Sequence, residues 1–235
     1  MSMEQDKIVE LLDDTSRMHT QIKQQSLQHS IRGLQEWQTK RLLSSHADFW
    51  HQKRSKPAMQ FFIDEIYGSK DFSDRDIEIA GVVPKLVKVL PDKAVAALHE
   101  ALRLNSLSLA LDLRMVAELK NKPVDRDNYY KAYQQCNNLE MREEQILLIE
   151  KLGLRLAQVV KIRGVSIILK LARKPAQVAG VENLHHTLEQ GFHAFAKLGN
   201  VHDFIDPIIQ RERTMMKALF DVTSISENPL PHFDQ

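Results

Sequence analysis

The sequence predicts an all-α fold, a single-domain, multi-helix bundle of about ten helices. Three observations predict it. Apolar residues recur at spacings of three and four along nearly the whole chain. The 235 residues include only eight glycines and eight prolines, few for the turn-rich connections of sandwiches and propellers. One β-branched run, 165–173, has no second strand to pair with, so it reads as a short buried helix.

The elements follow in order. Residues 4–24 place Ile8, Leu11, Leu12, Thr15, Met18 and Ile22 on one stripe, opposite a charged, Gln-rich face. The next helix carries Leu27, Ile31, Leu34, Trp37, Arg41, Leu42 and Phe49 and ends with Trp50, before a basic run closed by Pro57. Pro57 suits the first position of a helix over 57–67, where its missing N–H removes no hydrogen bond. Gly68 stops that helix. The turn through Tyr67, Gly68, Asp71, Phe72, Ser73 and Asp76 is expected to be rigid, with Ser73 and Asp76 arranged like a capping box. An apolar helix interrupted by Pro84 follows. Pro91 opens a helix to about 120 that is apolar on nearly all sides, which predicts the most buried position in the fold. Shorter and longer helices are expected at 126–137 and 138–162, then at 175–197 and 201–220. The organisation expected is an N-terminal amphipathic helix (1–24), a helical core domain (25–222) and a flexible C-terminal tail (223–235).

Composition excludes several classes. Hydrophobic residues at 43% and charged residues at 27% are globular values. Lys and Arg number 32 against 31 Asp and Glu, so no whole-molecule field draws the chain to nucleic acid or anionic membrane. Cys136 is the only cysteine, which rules out an internal disulfide or a thiolate-rich zinc site and suits a reducing compartment. No stretch free of Asp, Glu, Lys and Arg exceeds eight residues, so no membrane span is expected. Residues 1–10 carry Glu4, Asp6 and Glu10 and do not read as a secretory signal. The expected location is the cytoplasm.

Catalytic motifs are missing. GxSxG, phosphate-loop and HExxH patterns do not occur. Glu182 and His185 have the ExxH spacing of di-iron bundles, and Glu189 with His193 forms a second acid–His pair. A di-iron site needs a second ExxH on another helix, and there is none. No metal and no other cofactor is therefore expected, and these histidines read as a solvated helix face. His46, His51, His99 and His193 are the residues considered as lone haem ligands.

The most informative feature is polar residues inside the most apolar helix. Asn105, Ser108 and Asp112 stand at i, i+3 and i+7 and share one face. A buried carboxylate needs a donor. Arg75, Arg142 or a hydroxyl of Tyr129, Tyr130 or Tyr133 is expected to provide it. This face is either a structural network or the floor of a ligand pocket.

The block Phe61-Phe62-Ile63-Asp64-Glu65-Ile66-Tyr67-Gly68, continuing into Asp71-Phe72, resembles the signature of an uncharacterised bacterial family known by its FFLEE motif, with Ile63 for Leu and Asp64 for the first Glu. Trp37-Gln38 with Arg41-Leu42, the segment from Leu104-Asn105 to Leu111-Asp112, and Leu188-Glu189-x-Gly191-Phe192 extend the resemblance over roughly residues 34–220. It implies a bacterial, soluble, all-helical protein and brings no activity. The function expected is non-enzymatic: a cytoplasmic helical protein that binds a protein partner or itself, through the stripe from Ile8 to Ile22. The alternative is a small-ligand or haem-binding sensor using Asn105, Ser108 and Asp112.

Overall fold

The computed structural model describes residues 3–64, 92–178, 182–221 and 228–233. The expected turn at Tyr67, Gly68, Asp71, Phe72, Ser73 and Asp76, and Arg75 with it, lies outside them. The fold is all-α. The described residues form ten helices and no strand: α1 (Met3–Gln24), α2 (Gln28–Ser45), α3 (Ala47–His51), α4 (Lys56–Phe62), α5 (Asp92–Leu119), α6 (Arg126–Cys136), α7 (Leu139–Val159), α8 (Val165–Val178), α9 (Glu182–Leu198) and α10 (His202–Phe220).

Helix α5 is the hub, as its all-round apolar sequence requires. It packs against α1, α2, α6 and α7, while α10 lies across α6 and α7. Leu104, Leu111 and Met115 are fully enclosed there. Helix α9 joins α4, α8 and α7. Phe61 and Phe62 of α4 meet Phe195 of α9 edge-on, and Phe62 also meets Phe204 of α10. Gly191 makes this approach possible: a Cβ there would stand 2.9 Å from the Phe61 ring. A helical glycine costs ~1 kcal/mol relative to alanine, and the close packing of aromatic surface offsets it.

Three features depart from the sequence reading. The helix expected to run from Leu27 to Trp50 breaks at His46, whose backbone (φ −126°, ψ 31°) separates α2 from α3. The break accompanies full burial of His46 and an edge-on contact between Phe49 and Phe204. Pro175 does not open a helix, because α8 continues past it to Val178. Parts of the expected tail are packed. Arg126 donates from Nε to the Leu230 carbonyl at 2.8 Å and from Nη2 to the Asn228 carbonyl. Asn228 Nδ2 returns a bond to the Arg126 carbonyl at 3.0 Å. Leu230 is only 2% exposed, and the Phe233 ring lies 5.3 Å from that of Trp37.

The N-terminal stripe is not a free surface. Ile8, Leu11 and Leu12 are buried in a small cluster with Val95 and Leu102 of α5, and Ile22 joins the main core. The stripe is apolar because it seats α1 on α5, which leaves it closed to a partner.

Candidate functional site

The polar face of α5 is internal. Asp112 is 6% exposed and accepts from Gln35 Nε2 at 3.0 Å and Gln38 Nε2 at 3.1 Å. These α2 amides are its donors, in place of the arginine or tyrosine that the sequence suggested. Burial raises its pKa above the ordinary carboxyl value, against the two amide bonds and the Arg142 charge.

Ser108, one turn before, accepts from Gln145 Nε2 at 2.9 Å. Gln145 Oε1 in turn accepts from Arg142 Nη1 at 3.1 Å. Arg142 is 5% exposed, and its guanidinium lies over the Tyr133 ring, 4.6 Å from the centroid. Among the described residues its Nε and Nη2, both closed off from solvent, have no hydrogen-bond partner. Burial pushes the Tyr133 hydroxyl above its ordinary range, so it stays neutral near pH 7. Tyr129 stacks on Trp37 at 4.2 Å.

A second polar group stands on the α10 side. Glu212 accepts from Arg41 Nη1 at 2.5 and 2.7 Å, and His46 Nε2 lies 2.9 Å away. Burial works to raise the Glu212 pKa, but Arg41 and His46 outweigh it and hold it at about 2.

Apart from His46 and Trp37, these groups line one cavity of about 410 Å³. It lies between α1, α2, α5, α6, α7 and α10, with Leu230 contributing from the C-terminal segment. Asn105, Ser108, Asp112 and Arg142 all reach it, so four of the five sequence candidates share one site. Arg75, the fifth, lies outside the described residues. Gln35, Gln38, Arg41, Gln145 and Glu212 are site residues that sequence reasoning did not select. A signal existed on α2, where Gln38 and Arg41 fall at the stripe spacing set by Ile31 and Leu34.

The histidine motif has a different role from the one expected. His185 is buried rather than solvated, with Nε2 2.7 Å from the Leu169 carbonyl. Glu189 is bound by Arg173 Nη2 at 2.9 Å to each oxygen. Among the described residues no group of three or more His, Cys, Asp or Glu is placed to hold a metal ion. None of His46, His51, His99 and His193 lines the cavity. Cys136 is half-buried, with Sγ 3.7 Å from Met115 Sδ.

A family described as a domain of unknown function, DUF8198, matches residues 17–225. The chain belongs to this family. The DUF8198 match takes in every cavity-lining residue from His19 to Leu219 and leaves out Leu230. No curated protein and no solved structure shows significant similarity to the chain. Among the described residues no helix is long and apolar enough to cross a membrane.

Proposed function

We propose that this protein is a non-enzymatic, small-molecule-binding helical protein whose ligand site is the cavity on the polar face of α5. One observation carries the reading: a cavity of about 410 Å³ lined by the polar face of α5 and by the buried Arg142. The volume falls within the range of about 300–1,000 Å³ usual for small-molecule sites. The cavity lining combines apolar side chains such as Ile146, Ile149 and Met216 with polar ones that include Asn105, Ser108 and Asp112. The single thiol and the FFLEE-motif resemblance support placing it in a bacterial cytoplasm.

The test is native mass spectrometry of the purified protein, followed by a thermal-shift screen of metabolites. A ligand at a hundred times its Kd adds about 2.7 kcal/mol, which is a rise of about 5–10 °C in Tm for a chain of this size. Ser108→Phe, which fills the cavity, is expected to abolish that rise. A ligand whose effect survives Ser108→Phe binds elsewhere and refutes the reading.

A second reading, binding to a protein partner or to another copy, has its own observation. Helix α8 exposes Ile167 (61%), Ile168 (52%), Leu171 (72%) and Val178 (91%). Exposed apolar side chains in one stretch are a feature of interaction surfaces. Light scattering of wild type against Leu171→Glu tests the self-association form.

A further inference from the structure

We propose that helix α8 lies against an anionic lipid surface, with its outer apolar strip at the headgroup boundary and its lysines on the lipid phosphates. The proposal is independent of the cavity. It concerns the face that carries the second reading, and charge decides what covers that face.

The sequence supplies the first observation. Charge is nearly balanced over the chain, 32 Lys and Arg against 31 Asp and Glu, yet residues 151–181 contain seven Lys or Arg and no Asp or Glu. Five of the seven, Lys161, Arg163, Lys170, Arg173 and Lys174, fall in α8 or just before it. Arg173 is bound to Glu189. The other four are exposed, and among the described residues none of them forms an ion pair.

Helix α8 also carries two apolar stripes, where seating it on the bundle needs one. Val165, Leu169, Ala172 and Ala176 stand at i, i+4, i+7 and i+11 and turn inward. Val165 and Ala176 are buried, α8 packs on α9, and the Leu169 carbonyl lies 2.7 Å from His185 Nε2. Ile167, Leu171, Lys174 and Val178 repeat the spacing two residues on, about 200° round the helix. With Ile168, the three apolar residues of this outer strip are the most exposed large apolar side chains among the described residues. Lys170 and Lys174 follow Ile167 and Leu171 by three residues, so they border the strip.

The two properties together select the occupant. An interfacial helix places aliphatic side chains at the headgroup boundary and its basic edge against anionic lipid. Lysine suits that edge, because its stem covers apolar surface while the ammonium stays in the polar layer. A second copy on this face would set one acid-free segment against another. Nucleic acid would take the cations and leave Ile167, Ile168 and Leu171 in water. Protein interfaces are rich in aromatic residues and poor in Lys, whereas α8 has no aromatic residue and its strip is bordered by lysines. At 14 residues α8 is too short to span a bilayer, so it lies on the surface.

Co-sedimentation of the full chain with vesicles tests this. The two surfaces are phosphatidylcholine alone and phosphatidylcholine mixed with an equal part of phosphatidylglycerol. Binding to the mixed vesicles is expected to be about tenfold or more tighter, and to weaken as salt is added. Two double variants separate the contributions: Ile167→Ser with Leu171→Ser, and Lys170→Glu with Lys174→Glu. Each is expected to weaken binding about tenfold or more. All four side chains are exposed, so the thermal midpoint is expected to be unchanged. Lys122→Glu with Lys131→Glu makes the same change of net charge at exposed positions outside the segment, and is expected to keep most of the binding. Equal binding to the two kinds of vesicle, or binding to neither, overturns the proposal. So does a loss confined to the lysine pair, which leaves the apolar strip without a part in binding. Tighter binding to duplex DNA than to the mixed vesicles overturns it in favour of nucleic acid. A wild-type dimer that Leu171→Glu dissolves, with no vesicle binding, assigns the face to a second copy instead.

Discussion

Asp112, buried, and Glu212, partly buried, are carboxylates on the same cavity, and their environments drive them in opposite directions. Asp112 is held by two neutral amides, and burial raises its pKa. Glu212 is held by Arg41 and His46, and its pKa falls to about 2. A single helix provides both settings, through Gln35, Gln38 and Arg41 at three-residue intervals on α2. Burial alone therefore does not set a carboxylate's behaviour, because formal charge on the partner decides whether desolvation is overcome. Glu212 acts as a charged brace between α2 and α10. Asp112 is a polar group that the fold tolerates at some cost.

The largest test of this contrast is removal of the brace. Glu212→Ala leaves Arg41 and His46 enclosed without their anion and is expected to destabilise the protein by ~3–5 kcal/mol. Urea denaturation measures it. A loss below ~1 kcal/mol would mean that Arg41 and His46 find water or other partners.

Acid gives the next effect. Glu212 has a folded-state pKa of about 2, below its ordinary value near 4.5. Its contribution is fully present above pH ~4.5 and is lost as pH falls towards 2, amounting to about 3 kcal/mol. Asp112 runs the other way: with its pKa raised, folding takes up its proton more readily, so lowering the pH through its titration favours the fold. Denaturation midpoints of wild type and Glu212→Gln between pH 5 and pH 2 are expected to converge as pH falls. Parallel curves would refute the assignment.

Asp112→Ala is smaller in effect, because the groups left behind are uncharged. Two amide donors lose their acceptor, a destabilisation of about 1–3 kcal/mol by the same urea assay. A loss as large as that of Glu212→Ala would show that Arg142 is the true partner of Asp112. Ser108→Ala is the smallest, about 1 kcal/mol, since only the Gln145 amide loses an oxygen. A larger loss would show that the Arg142–Gln145–Ser108 chain acts as one unit.

The contrast also shows what a sequence makes legible. The helices are legible because burial of an apolar stripe imposes a 3.6-residue period, and α5 and α7 display it without interruption. The β-branched run at 165–173 reads correctly as helix because a lone strand has nowhere to place its backbone donors, but it is not the buried helix expected, since Ile167, Ile168 and Leu171 are exposed. The Asn105–Ser108–Asp112 face is legible because polar residues in an apolar helix need a reason. Its partners are not, since glutamine on an amphipathic helix looks the same whether it faces water or a buried acid. Gln35, Gln38 and Gln145 are of that kind. Glu212 is hidden for a related reason: its place beside Arg41 is set by how α10 crosses the bundle, across 171 residues of chain. The break at His46 is likewise a tertiary outcome, with nothing in the local run of residues to forbid a continuous helix.

The clasp between Arg126 and residues 228–230 gives the chain an order of assembly. Most of the cavity is written between His19 and Leu219, but one wall is Leu230, held by an arginine 104 residues earlier. During synthesis the chain emerges from its N-terminus, so α5, α6 and α7 can dock while α10 and the clasp are still unmade. A ribosome-bound intermediate of that kind carries Arg142 and Tyr133 in a groove open on one side. Closing so long a loop adds little to the thermodynamic cost, because loop entropy grows only with the logarithm of length. The site thus gains its Leu230 wall only once the C-terminal segment has docked.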